Sequence, residues 1–339
     1  MRGRAVLQHR SPLSSQARAT AIGGGAILLW ASLATLTMVA GQVPAFELTA
    51  ITFAIAGASG LAVAAARGRL AAVVPPLPVL ALGVSGLFGE HALYFGALRL
   101  APPSQAGLIV GLWPLLMVLL TVAVLRERLR PNHVIGLLMG ALGVLTLTIG
   151  TNEGGLAFEM RYLPGYLLAF GAAAVWAGYS VLSRRHAAVP TESVVSFCML
   201  TAVLAAGAHL MCERPAVMIS SRQAAAILAL GLGPVGLAFF VWDHGVKRGS
   251  IRVLGVVSYA APILSTLVLV ATGFAKGTTS LGISCLLIAG AAASATTSNP
   301  ERLTKLLSWP RLRSSPGAAS DRLITALPPR GRSQEVLTG

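Results

Sequence analysis

Two carboxylates lie well inside apolar stretches of this 339-residue chain, Glu90 and Asp243, and each is followed by a histidine, His91 and His244. A carboxylate in hydrocarbon costs several kcal/mol and normally faces a cavity or a partner. The chemistry open to it there is binding a proton or a cation. The two acids differ in depth. Glu90 precedes Arg99 by nine residues, roughly 13 Å along a helix, which puts it near the middle of its stretch. Asp243 precedes Lys247 by four residues, so the two can pair on one helix face. Glu90 is therefore expected to line a cavity and Asp243 to be structural. Neighbouring helical residues point about 100° apart, so neither acid is expected to share a face with its histidine. His91 by itself could titrate near neutral pH and couple protons.

Aromatic side chains form the second group. Trp30 and Trp113 fall near the middle of apolar runs and Trp176 closer to an end. Trp and Tyr normally collect at membrane interfaces, and an indole N–H in hydrocarbon needs an acceptor or a polar cavity. Tyr94 lies one turn from Glu90, and Tyr179 three residues after Trp176. Together these residues read as an aromatic-walled chamber holding one carboxylate. Pro114 and Pro262 add a backbone feature. Each lacks an N–H, so the carbonyls four residues earlier, Val110 and Ser258, lose their helical partners. A freed carbonyl near Ser258 and Tyr259 could receive an ammonium group, and both prolines are expected to act as hinges. Cys198, Cys212 and Cys285 fit neither a disulfide framework nor a zinc pattern. The acids and histidines fit no nucleophile or metal arrangement, so no enzyme activity, no metal and no cofactor are expected.

The elements that must position these groups are long apolar runs. The chain is 55% hydrophobic and 11% charged, where a soluble protein carries roughly a quarter charged residues. Ten runs of bilayer-spanning length fall at 20–40, 45–66, 75–98, 104–125, 132–150, 163–183, 192–212, 222–246, 251–272 and 278–298. They leave no room for a soluble domain. Residues 1–19 and 299–339 lack apolar periodicity, and the latter reads as a disordered basic tail. The net charge of +15 suggests nucleic acid until its distribution is read. With the N-terminus placed inside, 21 of the 26 Lys and Arg fall on the cytoplasmic side. That is the positive-inside bias; it implies both termini in the cytoplasm, with a lipid bilayer rather than nucleic acid as the partner.

The chain is also written twice. Trp30-Ala31-Ser32 is matched by Trp176-Ala177-Gly178, and Trp113-Pro114 by the segment ending at Pro262. Arg99 precedes Pro114 by fifteen positions, as Lys247 precedes Pro262. Five spans per copy invert the second, giving an all-α membrane protein of two inverted five-helix repeats: 20–150 and 163–298, joined by an external linker at 151–162. Such repeats usually build secondary transporters with a midplane site between them. The symmetry does not extend to the charges: with Pro114 on Pro262, Asp243 falls opposite Phe95.

These features resemble the drug/metabolite transporter superfamily, in its ten-helix EamA branch. Gly111-Leu112-Trp113-Pro114-Leu115, Val175-Trp176-Ala177-Gly178-Tyr179 and Val257-Ser258-Tyr259-Ala260-Ala261-Pro262 are most similar to the YddG-type aromatic and neutral amino acid exporters of bacterial inner membranes. The resemblance covers roughly 20–298. It implies alternating access around an aromatic-lined cavity, a small-molecule amino acid substrate and a monomer or weak oligomer. It also implies a Glu at position 90 and, in a relative, Asn where Asp243 stands. A proton-coupled exporter of cationic drugs or polyamines, using Glu90, is the alternative.

Overall fold

The computed structural model describes residues 14–151, 159–216 and 218–296. The C-terminal tail, residues 1–13 and most of the 151–162 linker therefore lie outside the described residues, while the end of the expected N-terminal tail, from Ser15, is already helical. Within them all regular structure is helical. Among the described residues nine helices are long and apolar enough to cross a membrane: α1 Ser15–Ala40, α2 Ala45–Ala66, α3 Leu77–Leu100, α4 Pro103–Leu125, α5 Pro131–Gly150, α6 Met160–Arg185, α7 Thr191–Cys212, α8 Ser221–Arg248 and α9 Ile251–Ala271. The tenth expected run is a shorter apolar helix, α10, Thr279–Ala295.

Local chemistry sets the ends. The Ser14 hydroxyl accepts the Ala17 N–H at the start of α1, and Ser250 does the same for Val253 at the start of α9. A Ser220/Gln223 capping box opens α8. Gly41, Gly68 and Gly273, all at positive φ, follow α1, α2 and α9 and turn the chain where an L side chain would be strained. Inside the spans, the hydroxyls of Thr49, Thr52, Thr121 and Ser258 donate to the carbonyl one turn back, which satisfies them in hydrocarbon.

Four spans carry interruptions that match between the halves. A π-helical turn occupies Ser85–Gly89 in α3 and another Gly233–Leu237 in α8; each begins twenty-nine residues before Pro114 or Pro262. α4 breaks at Gly111–Leu112 and α9 at Ser258–Tyr259, so each proline falls in the first turn of a new half-helix, where a missing N–H costs nothing. α1 also breaks, at Ser32, just after Trp30.

The most extensive packing runs between halves: α5 with α10, α2 with α7, α1 with α8, and α3 with α6. Exchanging each helix for its counterpart five places along converts α1–α8 into α6–α3 and leaves the other two pairs unchanged. The pairs run antiparallel. Gly57 and Gly60 of α2 face Met199 and Val195 of α7, while Gly136 and Gly150 of α5 face Ser294 and Ser280 of α10.

Small residues set the closest crossings. At α1–α8 a Cβ on Gly23 would lie 2.7 Å from the Gly245 Cα. The matching α3–α6 crossing places Ala97 and Ala169 fully buried in one cluster. Gly245→Val is expected to destabilise the protein by about 1–3 kcal/mol, since backbone has to move to admit the side chain. Gly24→Ala, where a Cβ meets nothing within 4 Å, should leave stability unchanged or slightly raised. Melting curves in one detergent check both; an unshifted Gly245→Val would contradict the packing argument.

Candidate functional site: a tryptophan quartet and its aromatic approach

Four tryptophans from four spans meet in the middle of the bundle. Trp30 comes from α1, Trp113 from the start of the second half of α4, Trp176 from α6 and Trp242 from α8. Their centroids are 6.4 Å apart for Trp30–Trp113, 5.8 Å for Trp30–Trp176, 5.2 Å for Trp30–Trp242, 6.2 Å for Trp113–Trp176, 5.7 Å for Trp113–Trp242 and 6.1 Å for Trp176–Trp242. Every pair is in contact, with edge-on and stacked geometries that suit aromatic quadrupoles. Two of the indole N–H groups find acceptors. That of Trp30 donates to the Pro234 carbonyl, inside the π-helical turn of α8, at 3.1 Å. That of Trp242 donates to the Ser180 hydroxyl at 3.1 Å. Trp176 and Trp242 are buried, whereas Trp30 and Trp113 keep part of their surface open.

A line of rings leads away from the quartet. Phe239 touches Trp30 and Trp176 and stacks on Phe53 at 5.5 Å. Phe53 meets His91 at 5.3 Å, His91 meets Phe95 at 5.9 Å, and Phe95 meets Phe46 at 5.4 Å. Phe46 stands in the first turn of α2, so the line reaches the end of the bundle where α2 begins. Tyr94 borders it beside Phe95 at 6.5 Å.

Glu90 sits beside this line. Its carboxylate is 2.8 Å from His91 Nδ1, which is also 2.8 Å from the Leu87 carbonyl in the π-helical turn. The expectation that Glu90 and His91 would not meet is corrected: their Cα–Cβ bonds diverge, but the three-bond Glu side chain swings back around the helix. His244 behaves differently, with Nδ1 turned to Arg248 at 3.2 Å.

The remaining expected residues fall outside the quartet. Tyr179 lies against Trp176 at 5.4 Å with its ring tilted by 39°, but is only 2% exposed and presses on Gly86 of α3. Tyr259, equally buried, packs on Gly140 of α5. The carbonyl of Ser258 was expected to be free; it accepts the Ala261 N–H at 3.0 Å, because the chain tightens into a turn ahead of Pro262. The Ser258 hydroxyl is likewise used, on the Leu254 carbonyl. Trp242, Phe239 and Phe53 were not anticipated. The repeat register held a signal for two of them: Trp242 and Phe239 stand as far before Pro262 as Tyr94 and His91 stand before Pro114.

The two ends of the bundle differ. At the end where α4 and α6 finish, Glu127 lies 3.6 Å from Arg184 and 3.2 Å from Arg252, joining α6 to α9. Arg184 also donates to the Val246 and Gly249 carbonyls, Arg185 to Val124 and Arg252 to Arg128. Just inside, Lys247 Nζ is 2.9 Å from Asp243 and 3.1 Å from the Val189 carbonyl, with both charged side chains buried. The pairing expected from the four-residue spacing is thus present. At the opposite end Glu213 accepts the N–H groups of Phe46 and Glu47, capping α2, and meets His209 at 3.0 Å. Among the described residues no group of three or more His, Cys, Asp or Glu could hold a metal ion.

A bundle of apolar spans with matched broken helices around an aromatic cluster has the build of a membrane transporter. The chain belongs to the EamA-like transporter family, which matches residues 21–149 and again 163–297. It is 53% identical over 283 residues, covering 83% of this chain and 98% of the relative, to the aromatic amino acid exporter YddG of Ancylobacter novellus. It is 28% identical over 166 residues to the protein of the same name from Salmonella typhimurium, covering 48% of this chain and 56% of that one. A solved crystal structure superposes with a TM-score of 0.80 at 51% identity, covering 87% of this chain and 100% of the other.

Proposed function

We propose that this transporter exports aromatic and other neutral amino acids across the bacterial inner membrane by alternating access. The observation that carries this is the tryptophan quartet, two rings from each half, joined through Phe239, Phe53 and His91 to the Glu90 carboxylate. The name of the 53% identical relative points the same way. Two five-helix repeats, 20–150 and 163–298, are related by inversion, with both termini in the cytoplasm. The antiparallel pairs α2–α7 and α5–α10 support the inversion, and the skewed distribution of Lys and Arg supports the orientation.

On this orientation the Glu127 end is cytoplasmic and shut, and the aromatic line opens outward from the quartet. The substrate ring packs against the partly open faces of Trp30 and Trp113. Its ammonium group is met by Glu90 and by the ring faces. Its carboxylate lies at the positive N-terminal end of the half-helix that starts at Trp113, which points outward because α4 runs inward. Opening to the cytoplasm separates Glu127 from Arg184 and Arg252, and the breaks at Gly111–Leu112 and Ser258–Tyr259 absorb the bend.

Counterflow in proteoliposomes with a panel of labelled amino acids and cationic drugs tests the assignment. Drug transport with silence across all amino acids would move it to the cation reading. Glu90→Gln is expected to weaken amino acid counterflow by about tenfold, the worth of one charge-assisted contact, without abolishing it. Complete loss, together with loss of any pH dependence, would point to Glu90 as a proton and cation carrier instead.

A further inference from the structure

A second concavity, lined by none of the quartet residues, opens on the side of the bundle between α2 and α8. It is a groove of about 960 Å³. Its walls are apolar: Val63 from α2, and Leu232, Leu237 and Phe240 from α8. Val63, Leu232 and Leu237 are exposed by 49%, 47% and 53%, so the groove faces the surroundings of the bundle and not its interior. One end is basic. Arg67, Arg69 and Arg248 line it where α2 and α8 stop, against the single acid Glu192.

Charge accounting at this rim leaves a positive excess. Arg69 is paired with Glu192 at 2.7 Å. Arg248 makes no ion pair among the described residues: it reaches the Thr191 hydroxyl at 3.5 Å and His244 Nδ1 at 3.2 Å, and interacts only coulombically with Asp243, which is paired with Lys247. Arg67 is exposed and makes no ion pair among the described residues. From Leu232 to Arg248 the α8 wall is sixteen residues long, roughly 24 Å. That is longer than one leaflet of a bilayer core about 30 Å thick. The groove therefore passes from exposed apolar surface at membrane depth to unneutralised guanidinium groups at the membrane–water boundary.

We propose that this groove is a binding site for one anionic phospholipid. An acyl chain lies along Val63, Leu237 and Phe240, and the phosphate is held by Arg67 and Arg248. On the orientation proposed above, the lipid comes from the cytoplasmic leaflet. There the attraction between basic residues and anionic head groups is worth about 1 kcal/mol per Lys or Arg. The lipid would also brace the Thr191–Ser193 turn against α8, beside the buried Asp243–Lys247 pair.

The test reads binding, not transport, so failure of the amino acid assignment would leave it standing. Purified full-length protein in neutral detergent is titrated with phosphatidylglycerol, with phosphatidylcholine of the same acyl chains and with soluble glycerol phosphate, and bound lipid is counted by native mass spectrometry. One phosphatidylglycerol per chain is expected to bind at least about tenfold tighter than phosphatidylcholine. Arg67→Gln with Arg248→Gln should remove that preference, the corresponding double Lys variant should keep it, and Val63→Trp should weaken both lipids by filling the groove. Equal binding of the two lipids, or an unchanged preference in the Gln variant, overturns the proposal. Glycerol phosphate competing as well as the lipid removes the acyl-chain part of it. Melting curves for each variant confirm that the bundle is intact.

Discussion

Trp113→Ala is expected to abolish measurable counterflow of aromatic amino acids, whereas Trp113→Phe keeps part of it. Trp113 touches each of the other three tryptophans and stands on the first turn of a half-helix, directly after the break in α4. Removing its ring deletes one member of the quartet and three aromatic contacts, each worth about 0.5–1.5 kcal/mol beyond its buried area. Phenylalanine restores some contact area without the indole. A loss of about 2–4 kcal/mol corresponds to a thirty- to several-hundredfold weaker substrate interaction, which counterflow at fixed substrate reads as silence. Melting curves separate this from misfolding. Unchanged transport and affinity in a folded Trp113→Ala variant would remove the quartet as the substrate site.

Lys247→Met is the largest stability change expected anywhere in the described residues, about 3–5 kcal/mol. Asp243 and Lys247 are 0% and 1% exposed as side chains, so removing the ammonium group leaves a carboxylate in a dry interior without its counter-charge. Asp243→Asn is milder. The amide oxygen still accepts from Lys247, whose Nζ keeps the Val189 carbonyl at 3.1 Å. Asp243→Asn combined with Lys247→Met should recover part of the loss, because no bare charge remains. A double-mutant cycle from melting curves measures this. If Lys247→Met proves no worse than Asp243→Asn, the pair is not dry. The pair also bears on transport. It sits under the Glu127–Arg184–Arg252 bridge, so weakening it should raise access of a cytoplasmic thiol reagent to cysteines placed at the quartet.

The class of the chain was legible because hydrocarbon permits few solutions. Long apolar runs must become helices, since every backbone polar group has to be satisfied within its own segment. Caps and prolines then fix where the runs stop. The spacing between Asp243 and Lys247 specified their pairing because helical geometry carries residue i over i+4. Trp30, Trp113 and Trp176 were identifiable for a similar reason: an indole in mid-run needs an acceptor or a cavity.

Tertiary structure alone decided which faces meet. Apolar residues are spread almost evenly around spans such as α2, so no periodicity marks the buried side, unlike in a soluble helix. Trp242 therefore did not stand out, and neither did Phe239 or Phe53. They join the aromatic cluster only because α8 crosses α1 closely at Gly23 and Gly245, bringing Trp242 to 5.2 Å from Trp30. The same holds for polar groups. Residue type implied a free carbonyl at Ser258 and a separated Glu90 and His91. A local turn closed the first, and side-chain rotation joined the second. Sequence by itself determined the apolar helices and where most of them end, because covalent spacing and solvation in hydrocarbon act locally. The aromatic cluster depended on how nearly uniform helices pack, which steric fit between distant residues decides.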